Sequence, residues 1–368
     1  MVELEGIGPA PFCGMHLADL GAEVVQVRRP GSTSSRHDFL QRGKRPVALD
    51  LKHERGAEAV RSLVERADAL IEGFRPGVAE RLGIGPDDCW QANPALVYGR
   101  MTGWGQEGPL ASRAGHDIGY IAVSGVLHPI GRRGGPPQVP ANLVGDFGGG
   151  ALYLAVGVLA GVLSARTSGR GQVVDASIVD GSAHLGSMLF GMLSSGSWNT
   201  ERGTNLLDTG APYYDVYETS DGEHVAVGAL EPQFYAELLQ RLGLTGELPD
   251  RDDPARWPEL RARLAEAFAE RTRDEWAEVF ADSDACVAPV LSMAEAADHP
   301  HLRERETFVR RDGAVQPAPA PRFSRTPNPP PRAVSAGPDS AAVLRDWQVQ
   351  DADGLLASGA VDPSGKDA

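Results

Sequence analysis

The chain has 368 residues, 42% hydrophobic and 23% charged, with a formal net charge of −15. That is a globular composition long enough for two domains, and its acidic excess argues against non-specific nucleic-acid binding. Neither an apolar run of about 18 residues nor a basic stretch leading into an apolar one at the start is present, so no membrane span and no secretory signal is expected.

The N-terminal part alternates between two patterns. GAEVVQV (21–27), RPVALDL (45–51), ADALIEGF (67–74) and ALVYGRMTG (95–103) read as short apolar strands, and 11–20, 54–67 and 86–92 carry helical periodicity. The alternation predicts βαβ units and a mostly parallel sheet, whose carboxyl edge is where ligands bind. Residues 28–52 are unusually basic, with Arg28, Arg29, Arg36, Arg42, Lys44, Arg45 and Lys52 against Asp38 and Asp50. They form either a solvated face or a site for a polyanionic small molecule. Arg28 and Arg29, Lys52 and Arg75 follow three different strands, which puts cations on one sheet edge and favours the ligand. No GxGxxG follows a strand, so a standard dinucleotide site is not supported, and GIGP at 6–9 and at 83–86 reads as a turn.

FGGGALYLAVGVLAGVLSA (147–165) reads as a buried core helix, and 169–195 as a strand and a second apolar helix bearing Met188 and Met192. Those methionines are either core filler or the lining of an adaptable apolar pocket. YYDVYETSDGEHVAVGAL (213–230) reads as a hairpin turning at Asp221-Gly222, followed by helices at 232–242, 257–271 and 273–281 and a strand at 286–292. The reading is a large domain over 1–200 and a smaller α+β domain over 210–300. The proline-rich 315–332 cannot be a regular helix or central strand, so 301–348 is expected to be a return segment ending in a helix that joins the large domain. Residues 349–368 are expected to be a disordered tail. The cysteines, Cys13, Cys89 and Cys286, are far apart, and the nine histidines do not cluster; no disulfide, zinc site or other metal is expected, and a reducing cytoplasm is.

Three residues stand out by context. His116 lies in AGHDIGYIAVSG, Asp146 in NLVGDFGGG before a helical pattern, and Glu231 between a strand and a helix. Each has a structural explanation: a core or helix-start histidine, an N-cap aspartate, and a glutamate at the positive end of a helix. Each also suits acid–base work. Gly148, Gly149 and Gly150 are poor helix formers, and they imply a close approach to the backbone there.

RMTGWGQEGP (100–109), AGHDIGYIAVSG (114–125), NLVGDFGGG (142–150), GAPYYDVYETSDG (210–222), AVGALEPQFY (226–235) and DACVAPVLS (284–292) resemble the α-methylacyl-CoA racemases of the family III CoA-transferase superfamily. The resemblance runs from the first residues to about residue 347. Its members generally begin about ten residues further upstream, so either the start lies upstream of Met1 or MVEL is a short first strand. The resemblance implies a Rossmann-like large domain and a smaller domain in an interlocked homodimer, with CoA carried by the substrate and no separate cofactor. It implies that His116 and Asp146 are the acid/base pair, and that Glu231 of a second subunit orients the imidazole. Arg29, Leu49, Asp50, Leu51, Lys52, Gly73, Phe74, Arg75, Arg81, Gly115, Asp117, Ile118, Gly119 and Tyr120 fall at CoA-contacting positions. It implies racemisation of 2-methylacyl-CoA thioesters in fatty acid and lipid metabolism, in the cytoplasm, with neither a nucleic-acid nor a membrane partner. Two alternatives stand beside it. A CoA-transferase would use Asp146 as nucleophile, and an acyl-CoA-binding scaffold would use none of the three.

Overall fold

A computed structural model describes residues 1–311, 313–335 and 337–362. The chain folds into two compact units, 1–124 with 141–186 and 306–368, and 125–140 with 187–305.

The first unit is built on β1 (Val2–Leu4), β2 (Val24–Arg28), β3 (Lys44–Leu49), β4 (Ala69–Glu72), β5 (Val97–Thr102) and β6 (Val173–Ser177). These strands are parallel in the order β3-β2-β1-β4-β5-β6, and Val361–Asp362 adds an antiparallel strand beside β3. The order reverses between β1 and β4, and this makes a crevice at their carboxyl ends. Strand parity sorts the core into two layers. Leu70 and Tyr98 join the helix Gly56–Val64 and Val343, Leu344 and Leu355, whereas Ala69, Ile71 and Val97 join the helices Pro9–Asp19 and Leu152–Ser168. A polar row crosses the strands under the helix Pro9–Asp19. Lys44 Nζ donates to Glu3 (2.7 Å) and to the Pro11 carbonyl (2.9 Å), and Gln26 donates to Glu3 and Gln41.

The second unit pairs β7 (Tyr214–Glu218), β8 (His224–Gly228) and β9 (Val287–Pro289) antiparallel, with the helices Pro232–Leu242, Trp257–Phe268 and Arg273–Phe280. Tyr217 stacks on Phe268, against which Trp276 packs edge-on.

Several expectations need correction. Residues 125–140 and 187–200 belong to the second unit, because Arg132 pairs with Asp215, Arg133 with Glu201, and Arg202 donates to the His128 and Gly135 carbonyls. Within 349–362 the tail is ordered, as a helix Ala352–Ser358 and the added strand, because Leu355, Ala360 and Val361 are apolar enough to complete the core beside β3; 363–368 lie outside the described residues. As expected, the proline-rich segment forms no central strand; it begins in an edge strand, Ala314–Pro317, paired with Phe308–Arg311, a position that tolerates Pro317. The second apolar helix is two, Ile178–Leu185 and Ser187–Ser194, and Met188 is 60% exposed instead of filling core.

The helical stretch Leu143–Ser168 is long and apolar enough to cross a membrane by length and composition. It is not wholly buried. Leu154, Ala155, Val158, Gly161 and Ala165 pack into the sheet, while Leu152, Val156, Leu159 and Leu163 are exposed.

Candidate active site

A cavity of about 380 Å³ opens at the carboxyl edge where the strand order reverses. Gly8 and Pro9 follow β1, Phe74 and Arg75 follow β4, Trp104 follows β5, and His116 and Asp146 complete it. The last two stand 30 positions apart in sequence and line the same cavity. A cavity of about 530 Å³ in the second unit is larger, but its lining of Arg132, Arg133, Trp257 and Arg261 includes none of the three candidates.

His116 is the N-cap residue of the helix Asp117–Val123. Its backbone is extended and its carbonyl accepts from the Gly119 and Tyr120 N–H groups. The imidazole is exposed, so it is not a core histidine. Tyr120 is buried against Trp104 edge-on, and a Cβ at Gly103 or Gly115 would collide with its ring. That explains the glycine before His116: the loop must lie flat on Tyr120.

Asp146 is not an N-cap. It is the fourth residue of a π-helical stretch, Leu143–Ala151, that runs into the helix Leu152–Ser168. Wide turns of this kind concentrate at functional sites. Asp117 does the capping instead, accepting the Asp146 N–H at 2.8 Å. The glycines that follow pack against the protein itself. A Cβ on Gly149 would lie 2.6 Å from Ser182 Oγ, and one on Gly150 3.0 Å from Ile178. The close approach expected from the sequence is therefore made by the helix Ile178–Leu185. Asp146 Oδ2 accepts from Asn142 at 3.2 Å and lies over Gly8. Burial pushes the Asp146 carboxyl above the ordinary aspartate range; the charge of Asp117 adds to this, while the Asn142 bond and His116 oppose it.

Glu231 is in the second unit, exposed, at the N-cap of the helix Pro232–Leu242. It makes no side-chain cap bond, so helix capping does not consume its carboxylate.

The other expected positions divide. Gly73, Phe74, Arg75, Gly115 and Tyr120 line the cavity with His116. Arg29, Asp50, Leu51, Lys52, Arg81, Ile118 and Gly119 lie outside that lining. Leu49 is buried in β3 and paired with Val361, and Asp117 is 7% exposed with one oxygen given to Asp146. The basic segment is partly structural. Arg28 is buried against Gln26, Arg42 pairs with Asp19, Lys44 with Glu3 and Arg45 with Glu23, which leaves Arg29, Arg36 and Lys52 exposed, Arg36 donating to the neighbouring His37.

Sequence reading missed three supports. Glu5 ends the β1 connection and accepts from the Arg29 N–H and Ser32 hydroxyl, holding the loop that carries Arg29. Glu72, its pKa pushed up to about 7 by burial, accepts the Phe74 N–H at 2.5 Å and shapes the Gly73–Arg75 turn. The first GIGP is more than a turn, since Gly8 gives Asp146 its backbone floor. Only the glycine at a strand end signalled any of these. Among the described residues no group of three or more His, Cys, Asp or Glu side chains is placed to hold a metal ion.

The model of CoA-transferase family III matches residues 1–339. The chain belongs to CoA-transferase family III. An alpha-methylacyl-CoA racemase from Mus musculus is 50% identical over 352 residues, 94% of this chain and 92% of its own length. One from Homo sapiens is 48% identical over 89% of this chain and 86% of its own. A solved CAIB/BAIF family protein from Brucella suis superposes with a TM-score of 0.81 at 25% identity, covering 94% of this chain and 97% of that one. The fold is thus the family's α/β architecture with a mostly parallel sheet.

Proposed function

We propose that this chain is an isomerase that interconverts the (R) and (S) forms of 2-methylacyl-CoA thioesters by α-proton transfer. The observation that carries the reading is that an imidazole and a carboxyl with a raised pKa line one cavity in a relative of two racemases. A thioester α-proton is weakly acidic, so its removal needs a positioned base and its return on the opposite face needs an acid. One proton divided between His116 and Asp146 supplies both. With the proton on Asp146, the imidazole is base and the carboxyl is acid; with it on His116, the roles reverse. Burial of Asp146 is what lets a carboxyl hold that proton. The Asp117 and Ile118 N–H groups, at the start of the helix and next to His116, are assigned to the enolate oxygen. CoA arrives with the substrate, and the scheme calls for no metal or redox group. The three thiols, all free, favour a reducing cytoplasm.

Arg29 and Lys52 on the edge and Arg75 in the cavity are assigned to the CoA phosphates and pantetheine arm. Arg29→Glu and Arg75→Glu are each expected to raise the KM for acyl-CoA by about tenfold or more while kcat changes less. Unchanged KM in both would place CoA elsewhere.

A homodimer completes the site in this reading, with Glu231 of a second copy orienting His116. Supporting it, Leu152, Val156, Leu159 and Leu163 recur at helical spacing and are 41–67% exposed. An apolar stripe of that kind marks an interface. Sedimentation should give a dimer; a fully active monomer would end this assignment.

Incubating either pure enantiomer with the protein and an unlabelled carboxylic acid tests the function itself. Convergence of both enantiomers on one mixture, with no CoA on the added acid, is expected. CoA transfer without inversion would instead make Asp146 the nucleophile of a transferase, in which His116 has no task.

A further inference from the structure

In the second unit the Arg251 guanidinium lies over two neighbouring aromatic rings, 4.1 Å from the centroid of Tyr213 and 4.7 Å from that of Tyr235. Its Nη2 donates to the Leu230 carbonyl (2.5 Å) and its Nη1 to the Ala229 carbonyl (3.3 Å). Its own backbone is held by the Trp257 indole, which donates to the Arg251 carbonyl at 2.8 Å. The two carbonyls it holds belong to the two residues that precede Glu231.

We infer that Arg251 is a positioning residue that fixes the direction in which Glu231 presents its carboxylate. The inference rests on the reading above that Glu231 orients His116. The peptide joining Leu230 to Glu231 is planar, so a hydrogen bond to the Leu230 oxygen fixes the plane from which the Glu231 side chain departs. On the other side, Tyr235 donates its N–H to the Glu231 carbonyl at 3.0 Å and lays its ring on the same guanidinium. One side chain thus braces the chain before Glu231 and the first helical turn after it. A planar fork does this where an ammonium cannot, because two carbonyls and two ring faces are engaged together. Glu231 is exposed and makes no cap bond of its own, so nothing within its own helix start holds it.

The test is a double-mutant cycle on racemisation, with Arg251→Ala, Arg251→Lys and Glu231→Gln measured singly and combined in the full-length protein. Arg251→Ala is expected to lower kcat by about 10–100-fold, with acyl-CoA KM within about twofold, since a small misplacement near the reacting groups costs that much. Arg251→Lys should recover part of it. In the Glu231→Gln background, Arg251→Ala should add almost nothing, because a brace has no effect once its load is removed. Full multiplication of the two effects, or wild-type kcat in Arg251→Ala, overturns the inference. If Arg251→Ala does not fold, Arg251→Lys in the same cycle decides by the same criterion. The two readings fail separately: wild-type turnover in Glu231→Gln removes the role of Glu231 and the inference with it, whereas an impaired Glu231→Gln beside a normal Arg251→Ala removes only the inference.

Discussion

His116→Ala is expected to lower the rate of inversion by about 10²–10⁴-fold starting from either enantiomer, and Asp146→Asn by a similar factor. Each direction needs a base on one face of the α-carbon and an acid on the other, so losing either group stops both. Neither change should disturb the fold much. His116 is exposed and uses only its backbone in the helix start. Asp146 is half-buried, its carboxylate taking one bond from Asn142, while its N–H stays with Asp117. A chiral assay of product beside a melting curve separates chemistry from stability. An inversion rate near wild type in His116→Ala would return the residue to a purely structural part.

Lys44→Met is expected to cost about 3–5 kcal/mol of stability, by stranding a buried carboxylate. The side chains of Lys44 and Glu3 are both fully buried, and Lys44 also holds the Pro11 carbonyl in the first turn of the helix that begins beside Gly8. Burial pushes the Glu3 carboxyl up, and Lys44 is the largest influence opposing it. A carboxyl raised above its unfolded value stabilises the fold at low pH and loses that contribution as pH rises through the folded value. The variant's deficit should therefore shrink as the pH falls from about 7 to about 5. Urea midpoints at both pH values, with Glu3→Gln/Lys44→Met recovering most of the loss, check the sign. A variant as stable as wild type at pH about 7 would show that the pair contributes nothing.

The parallel sheet was legible because β2 to β5 are short apolar runs, with helical patterns before β2, between β3 and β4 and between β4 and β5. The sorting of cations was not. Arg28, Arg29, Arg42 and Lys44 look alike in sequence, yet strand parity turns Arg28 and Lys44 inward and a carboxylate across the fold claims Arg42. The N-cap explanation of Asp146 fails because its N–H is taken by Asp117, a partner distant in sequence. The glycines after it signalled close packing, but not that the helix Ile178–Leu185 fills the space. Disorder is expected of 349–368 because chain termini usually lack partners, and the apolar residues of 349–362 gain their value only once the edge of β3 is in place. The candidate residues came from motifs; the supports around them, such as Glu5 under Arg29 and Glu72 under the Gly73–Arg75 turn, came only from the structure.

Enantiomer-resolved deuterium uptake at the α-carbon, in deuterated water with the thioester intact, tests the two-base assignment most directly. The wild type should exchange and invert both enantiomers. His116→Ala should exchange only the enantiomer whose α-proton faces Asp146, without inverting it, and Asp146→Asn only the other. Loss of exchange for both enantiomers in both variants, each still folded and binding CoA, would contradict the division of labour between His116 and Asp146.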